Sequence, residues 1–180
     1  AEEFRSKYGF YKQRIIAYIG RIHPTKGIDL LIEALPRIYE RIPEIILVIA
    51  GRGDEKYLSK CLEKAKKRNV DHIIKYLGYL AERDKIALID ASDVIVLPSR
   101  HAGESYPLIV EEVKARNKPL VVTDISPALA NIVSNYDEGY IVPRDPNAVA
   151  DTISDILKRK RPIRERFKRS VTWHELASSM

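Results

Sequence analysis

The stretch RIIAYIGRIHPTKGIDLLIEALPRIYERIPEIILVIAGRG, residues 14–53, decides the fold. Two runs within it, Arg14–Ile19 and Ile45–Ala50, are almost wholly apolar, and a glycine follows each, which is typical of buried strands. Between them, residues 27–41 repeat apolar side chains at the 3.6-residue period of a helix. This order predicts two parallel strands that are joined by a helical crossover.

The alternation of strands and helices continues through residue 158. Apolar runs that predict four further strands lie at 72–77, 94–97, 119–123 and 139–142. Helix-length runs lie at 54–69, 81–91, 108–116, 127–133 and 146–158. About six strands alternating with helices predict an α/β fold with a mostly parallel sheet. Ligands of such sheets bind beyond the carboxyl ends of the strands, so function is expected in the loops 20–27, 51–54, 78–81, 98–107 and 124–128.

Composition and charge describe an ordinary globular chain with one basic segment. The chain has 180 residues, of which 45% are hydrophobic and 31% charged, and its net charge is +6. Segment 158–169 holds eight Lys and Arg residues and one Glu, which leaves the rest of the chain close to neutral. A nucleic-acid-binding domain is more evenly basic, so no nucleic-acid partner is expected.

The single cysteine, Cys61, excludes an internal disulfide and a cysteine-rich metal site. A reducing, cytoplasmic location is therefore expected. No apolar run approaches the roughly 20 residues that span a bilayer, and the first residues do not resemble a secretory signal. The basic segment 158–169 has two interpretations, a solvated surface or a patch that attaches to anionic lipid at the cytoplasmic membrane face.

A loop with two cations follows the first strand. Gly20 and Gly27 bound this loop, which contains Arg21 and Lys26 and leads into a helix. A helix N-terminus stabilises anions, so the loop suits a diphosphate. An ordinary turn with two solvated bases is the alternative. The loop is neither a P-loop nor a G-x-G-x-x-G motif, so the families that carry those motifs are not supported.

Two glutamates, Glu104 and Glu112, form the second candidate feature. Seven residues separate them. Glu104 is predicted in the loop after the fourth strand and Glu112 about one turn into the next helix, so both carboxylates can face one crevice. A carboxylate can accept hydrogen bonds from two vicinal sugar hydroxyls. Two glutamates at this spacing are, however, common in proteins of other kinds.

The order and spacing of the motifs resemble the C-terminal, nucleotide-sugar-binding domain of retaining glycosyltransferases of the group 1 (family four) type, which have the GT-B architecture. The resemblance covers about residues 14–175. Its motifs are the G-R-x-x-x-x-K-G loop, a G-x-G after the second strand, an L-G after the third, an E-x7-E, and a K-P that follows Asn here and often Gly in the family. In this sequence they stand at Gly20 to Gly27, Gly51 to Gly53, Leu77 and Gly78, Glu104 to Glu112, and Asn117 to Pro119.

The resemblance implies a Rossmann-like, three-layer α/β/α domain that forms one half of a GT-B fold. Arg21 and Lys26 would hold the donor diphosphate and stabilise the leaving group, and Glu104 would contact the donor sugar. These three are the implied catalytic residues, and Glu112 would accept hydrogen bonds from the ribose. The other implied donor contacts are Gly20, Tyr76, Leu77, Ser105, Tyr106 and Leu108, with Tyr76 and Leu77 at the base pocket.

The implied reaction transfers a sugar from a nucleoside diphosphate to an acceptor hydroxyl with retained anomeric configuration. The chain has no Asp-x-Asp motif, and Arg21, Lys26 and a helix dipole can replace a metal at the diphosphate. Neither a metal nor another cofactor is predicted. Ser126 and Pro127 replace the family's usual Gly-Gly, which leaves the donor sugar open, and uracil, guanine and adenine all remain candidate bases.

Three segments are predicted along the chain. Residues 1–13 are a lead-in from a missing N-terminal half, 14–160 form the nucleotide-sugar-binding domain, and 161–180 form a basic, helical C-terminal tail. Because the missing half would hold the acceptor, the chain alone is expected to bind donor without turnover. Two alternatives remain: a non-catalytic nucleotide-binding module of the same fold, and a GT-B-like nucleotide-sugar epimerase that needs no acceptor.

Overall fold

The computed structural model describes residues 1–101 and 108–159. Within them, the strands are Arg14–Ile19 (β1), Ile45–Ala50 (β2), Ile74–Gly78 (β3), Val94–Leu97 (β4), Leu120–Thr123 (β5) and Gly139–Val142 (β6). The helices are Glu2–Tyr8 (α1), Ile28–Arg41 (α2), Glu55–Lys67 (α3), Glu82–Ala91 (α4), Leu108–Ala115 (α5), Pro127–Ser134 (α6) and Pro146–Lys158 (α7). Two short 3₁₀ turns lie at Pro24–Lys26 and Asp71–Ile73.

The six strands form one parallel sheet in the order β3-β2-β1-β4-β5-β6. The chain winds outward from β1 to β3 and then returns to add β4, β5 and β6 on the other side of β1. The β1–β4 pairing is short, and only Ile16 with Val94 and Ala17 with Ile95 are in register. Open sheets form their ligand crevice at such a reversal of strand order. The predicted α/β fold with a six-stranded parallel sheet is confirmed.

Helices cover both faces of the sheet, which gives the predicted three layers. Side chains of β1 alternate between the faces, with Ile16 and Tyr18 in one apolar cluster and Ile15 and Ala17 in the other. Helices α2, α3 and α7 contribute to the first cluster, and α1, α4, α5 and α6 to the second. Burying each large aliphatic side chain contributes about 1.5 to 3 kcal/mol, and this burial holds the carboxyl ends of the strands in place.

Residues 1–13, which the sequence predicts only as a lead-in, contain α1 and pack on the domain. Phe4 and Phe10 are 3% and 5% exposed and belong to the same apolar cluster as α4. The ring of Tyr8 lies between them, with centroids 4.7 Å from Phe4 and 5.9 Å from Phe10. This segment therefore contributes to the core of the described structure.

Arg5 ties α1 to the body of the domain. Its guanidinium donates to the carbonyls of Phe10 at 3.1 Å, Gln13 at 2.8 Å and Ala91 at 2.7 Å. It also donates to the carboxylate of Asp93 at 3.1 Å. Because both charged side chains are mostly buried, at 24% and 17% exposure, removing one partner of this contact would cost more than removing one partner of a surface ion pair.

The boundaries of some elements differ from the sequence prediction. The strand predicted at 72–77 begins at Ile74, because the preceding residues form a 3₁₀ turn that buries Ile73 to 7% exposure. Two local features define helix ends. Asp54 caps α3 by accepting from the Tyr57 N–H at 2.9 Å, and Asn117 takes the left-handed conformation, with φ 52°, after α5.

Across the two described ranges, no helix is long and apolar enough to cross a membrane. The predicted tail 161–180 lies outside the described residues, as does most of the basic segment 158–169. The predictions made for these two segments therefore stay predictions.

Cys61 is expected to be unreactive in the folded chain. Its side chain lies in the apolar core at 1% exposure, and burial raises the pKa of the thiol to about 11. The reactive thiolate is then scarce at pH 8. With a disulfide reagent at pH 8, we expect no reaction over minutes in buffer and one equivalent of reaction in denaturant. Stoichiometric labelling of the folded chain within seconds would contradict the packing described.

Candidate functional site

The loops that follow β1 and β2 extend the sheet pairing beyond the strands. The Gly20 N–H donates to the Ala50 carbonyl at 3.0 Å. Two residues later, the Ile22 N–H donates to the Arg52 carbonyl, also at 3.0 Å. Arg21, which is exposed, therefore lies between two backbone positions that are fixed against the next strand.

The sequence predicts that the basic loop enters the helix directly at Gly27. In the structure the loop instead ends in a 3₁₀ turn before the helix begins. The Nδ1 atom of His23 accepts from the Thr25 N–H at 3.3 Å and lies 2.9 Å from its hydroxyl, so the ring caps the turn. Gly27 then takes a left-handed φ of 70°, and α2 begins at the next residue. The turn leaves Lys26 half-buried at the edge of the crevice.

The loops after β1 and β4 meet at Gly27. A Cβ atom at this position would lie 1.9 Å from the carbonyl oxygen of Pro98, so only glycine fits without a shift of the backbone. Beside this contact, the Arg100 N–H donates to the Thr25 carbonyl at 2.7 Å. The Arg100 guanidinium forms an ion pair with Asp29 in the first turn of α2. The junction holds the basic loop against the start of the loop that follows β4.

A cleft of about 710 Å³ opens at the carboxyl ends of β1 and β2. Its lining includes Arg21, Arg52, Tyr79, Leu80 and Lys85. The guanidinium of Arg52 lies over the Tyr79 ring, 4.9 Å from its centroid. This wall is both aromatic and cationic, which suits a flat base that carries phosphates.

A second pocket of about 240 Å³ adjoins this cleft, and the two share Ile19, Gly20 and Lys85 in their linings. Lys26 and Glu112 both line the second pocket, which straddles the reversal of strand order between β1 and β4. The structure therefore brings predicted donor contacts to one place. The four that line this pocket are Gly20, Lys26, Leu108 and Glu112, and Arg21 lines the adjoining cleft.

Glu112 is held by a lysine in this pocket. Its carboxylate accepts from the Lys85 ammonium at 2.6 Å, and Lys85 also pairs with Glu82 at 2.9 Å. Burial lowers the pKa of Lys85, but the hydrogen bonds to the two carboxylates outweigh it, and the net effect raises the pKa. Glu111, the residue before it, instead pairs with Lys114 at 3.3 Å and is half exposed.

Of the five other predicted site residues, two do not line either cavity and three lie outside the described residues. Glu104, Ser105 and Tyr106 lie outside the described residues. Tyr76 and Leu77, predicted at the base pocket, are absent from both linings, and the Tyr76 hydroxyl donates to the backbone carbonyl that follows β2, at 2.9 Å. From this part of the chain, the residues that line the cleft are Tyr79 and Leu80, which directly follow β3.

Comparison with known proteins decides the family. A family model described as "Glycosyl transferases group 1" matches residues 1–172. The chain belongs to the group 1 glycosyl transferases. The family that the motifs predict is thereby confirmed, and the match includes α1 as well as the Rossmann-like sheet.

Relatives of this glycosyl transferase chain cover most of its length. It is 30% identical over 156 residues to phosphatidyl-myo-inositol mannosyltransferase of Mycobacterium leprae, which covers 86% of this chain. It is also 30% identical over 172 residues to glycogen synthase of Mycobacterium tuberculosis, covering 91% of this chain. In both cases the match takes in 40% of the relative, so the chain spans about two fifths of the length of these proteins.

Solved structures share the fold of the glycosyl transferase chain. The C-terminal domain of the group 1 protein LpcC from Francisella tularensis matches with a TM-score of 0.74 at 23% identity, over 87% of this chain and 82% of that one. Anabaena HepE in complex with UDP and glucose matches with a TM-score of 0.75 at 20% identity, over 87% and 42%. The group 1 chain therefore has the fold of one Rossmann-like half of a GT-B enzyme.

Sequence reasoning missed Lys85 and Tyr79, which the group 1 fold places at the site. The sequence predicts function in loop 78–81, and Tyr79 lies in this loop while Lys85 lies in the first turn of the helix that follows. Lys85 looks like an ordinary charged residue of an amphipathic helix. Only the packing of α4 beside α5 shows that its ammonium reaches Glu112.

Proposed function

We propose that this chain is the donor-binding domain of a glycosyltransferase that moves a sugar from a nucleoside diphosphate to an acceptor hydroxyl, with retained anomeric configuration. The observation that carries the proposal is the pocket that Gly20, Lys26 and Glu112 line together, beside the cleft that contains Arg21. Cations suited to a diphosphate and a carboxylate suited to ribose hydroxyls lie at one reversal of strand order.

The comparisons support this choice of donor. The relatives are named as a mannosyltransferase and a glycogen synthase, and HepE has been solved with UDP and with UDP-glucose. Because the chain spans about 40% of those relatives, we assign acceptor binding to a further, N-terminal domain. The chain by itself is then expected to bind donor without transferring the sugar.

Arg21 and Lys26 act in the proposed reaction by stabilising the leaving group. The bond between the anomeric carbon and the phosphate oxygen breaks, and its electron pair leaves with the diphosphate. Fixed cations at this position lower the barrier because the negative charge on the diphosphate grows as the bond breaks. The acceptor oxygen bonds to the anomeric carbon on the same face, and its proton passes to the departing diphosphate oxygen. Contact with the donor sugar is assigned to Glu104.

We also propose that donor binding needs no metal and takes place in the cytoplasm. Arg21 and Lys26 supply the positive charge that a divalent cation would otherwise bring to the diphosphate. Within residues 1–101 and 108–159, no group of three His, Cys, Asp or Glu side chains is arranged to hold a metal. Attachment of segment 158–169 to anionic lipid at the membrane face is part of the same proposal.

Calorimetric titration in a chelator tests the donor site. We expect one of UDP, GDP and ADP to bind with micromolar affinity. We expect Arg21→Ala to weaken that binding by about tenfold to a hundredfold, since charge-assisted hydrogen bonds are worth about 1.5 to 3 kcal/mol.

Arg83→Ala is the matched control for this titration. Its side chain is 88% exposed on α4 and lines neither cavity, so the substitution removes the same charge without touching the site. Equal affinities of the Arg21 and Arg83 variants would contradict the assignment of Arg21. Binding that disappears in chelator and returns with Mg²⁺ would contradict metal independence, and no binding of any nucleotide would contradict the proposed function.

A further inference from the structure

Lys85 occupies a place that the proposed function has not yet used. It stands on the first turn of α4, and its side chain lines both the 710 Å³ cleft and the 240 Å³ pocket. The side chain is 23% exposed, so its ammonium is mostly enclosed where the two cavities join. A lysine placed for solubility alone would extend away from the crevice into water.

The contact between Lys85 and Glu112 differs from the surface ion pairs of the molecule. The two groups are 2.6 Å apart, they come from different helices, and both side chains are less than a third exposed. By contrast, the neighbouring Glu111 pairs with Lys114 within one helix at 3.3 Å, and its side chain is 54% exposed. Enclosed, charge-assisted bonds of this kind are the ones that fix side-chain geometry.

The bond leaves Glu112 able to bind a second partner. A carboxylate offers two oxygens with about four acceptor positions, and Lys85 uses one position on one oxygen. The remaining positions suit the two hydroxyls of a ribose. Without a fixed partner, the long glutamate side chain would lose more rotamer freedom on binding, and this loss would weaken binding.

Lys85 has little capacity left for a ligand of its own. An ammonium has three N–H donors, and the carboxylates of Glu112 and Glu82 take two of them. Both carboxylates raise the pKa of Lys85, so the group stays protonated at neutral pH. Its charge is therefore largely balanced by its neighbours, unlike the charge of a lysine that is kept for phosphate.

We infer that Lys85 is a positioning residue for nucleotide recognition, which holds the Glu112 carboxylate in the orientation that accepts the ribose hydroxyls. The inference rests on the proposed function, because it needs a nucleotide in this crevice. It assigns the selection of ribose over deoxyribose to a pair of residues from α4 and α5 rather than to Glu112 alone.

The test compares the full chain with its Lys85→Met variant, using whichever of UDP, GDP and ADP binds and the 2′,3′-dideoxy form of that nucleotide. We expect Lys85→Met to weaken the ribonucleotide about tenfold, because it removes a charge-assisted bond to the group that contacts the hydroxyls. Affinity for the dideoxy form and for inorganic pyrophosphate should change less than twofold. Lys85→Arg should recover part of the ribonucleotide affinity.

Two controls separate positioning from other roles. Glu82→Gln removes the exposed second partner of Lys85, so ribonucleotide affinity should stay within twofold of the native chain. Adding Lys85→Met to Glu112→Gln should cause no further loss. Equal weakening of the ribose and dideoxy nucleotides, or loss of pyrophosphate binding, would overturn the inference while leaving the proposed function intact. If the native chain bound no nucleotide, both would be overturned.

Discussion

Replacing Gly27 with alanine is expected to lower the free energy of unfolding by about 2 to 5 kcal/mol. The left-handed backbone, with φ 70°, costs a residue that carries a Cβ about 1 to 2 kcal/mol. The new Cβ would lie 1.9 Å from the carbonyl oxygen of Pro98, and forcing such an overpacked contact costs about 1 to 3 kcal/mol more. Because the contacted atom is the backbone carbonyl oxygen of Pro98, on a neighbouring loop, a side-chain rotation cannot relieve the contact.

The chain offers a control for this prediction that is matched in backbone conformation. Gly78 has φ 69°, and a Cβ built there meets no atom within 4 Å. Gly78→Ala should therefore cost only the backbone part, about 1 to 2 kcal/mol. Guanidinium denaturation followed by circular dichroism measures both variants. The Gly27 variant should also bind nucleotide more weakly, because Lys26 must move with the turn. Equal losses of stability for the two variants would show that the contact with Pro98 is not tight.

Arg5→Met is expected to lower the free energy of unfolding by about 3 kcal/mol. The substitution keeps much of the apolar stem and removes four hydrogen bonds, three to backbone carbonyls and one to Asp93. Removing one member of a mostly buried pair costs more than the pair itself contributes, because the partner groups stay partly buried and lose a hydrogen-bond donor.

Lys7→Met in the same helix is the control for Arg5. Lys7 is 55% exposed, and its ion pair with Asp84 spans 3.8 Å, so its loss should cost less than about 0.5 kcal/mol. The same denaturation experiment compares the two variants. A loss of stability for Arg5→Met as small as that for Lys7→Met would mean that α1 is only loosely attached to the domain.

The sheet could be predicted from the sequence because its strands carry their own signal. Runs such as Ile45–Ala50 are apolar at every position, since helices cover both faces of the sheet. Arg5 carries no such signal. Its partners Ala91 and Asp93 lie more than 80 residues away in the chain. The local sequence pattern around α1 cannot indicate contacts over such a separation. The sequence therefore predicts residues 1–13 only as a lead-in.

The candidate site divides in the same way. The basic loop could be predicted because Arg21 and Lys26 stand in one short segment between two glycines. The contact between Lys85 and Glu112 could not be predicted, because it depends on how closely α4 approaches α5. The sequence does not show where edge strand β3 ends relative to the cleft, so it could not indicate that Tyr79 and Leu80 line the cleft while Tyr76 and Leu77 do not.

The short pairing between β1 and β4 has a consequence for the order of assembly. The two strands are far apart in sequence. The hydrogen bond from the Ile15 N–H to the Asp93 carboxylate, for example, joins residues that are 78 positions apart. Closing so long a loop costs entropy before any contact forms, so this seam is expected to close late in folding. Arg21 and Lys26 are on one side of the seam and Glu112 on the other. A partly folded chain would thus carry the cations without the carboxylate, and at the proposed donor site we expect recognition of a complete nucleotide only after the pairing of β1 with β4 has formed.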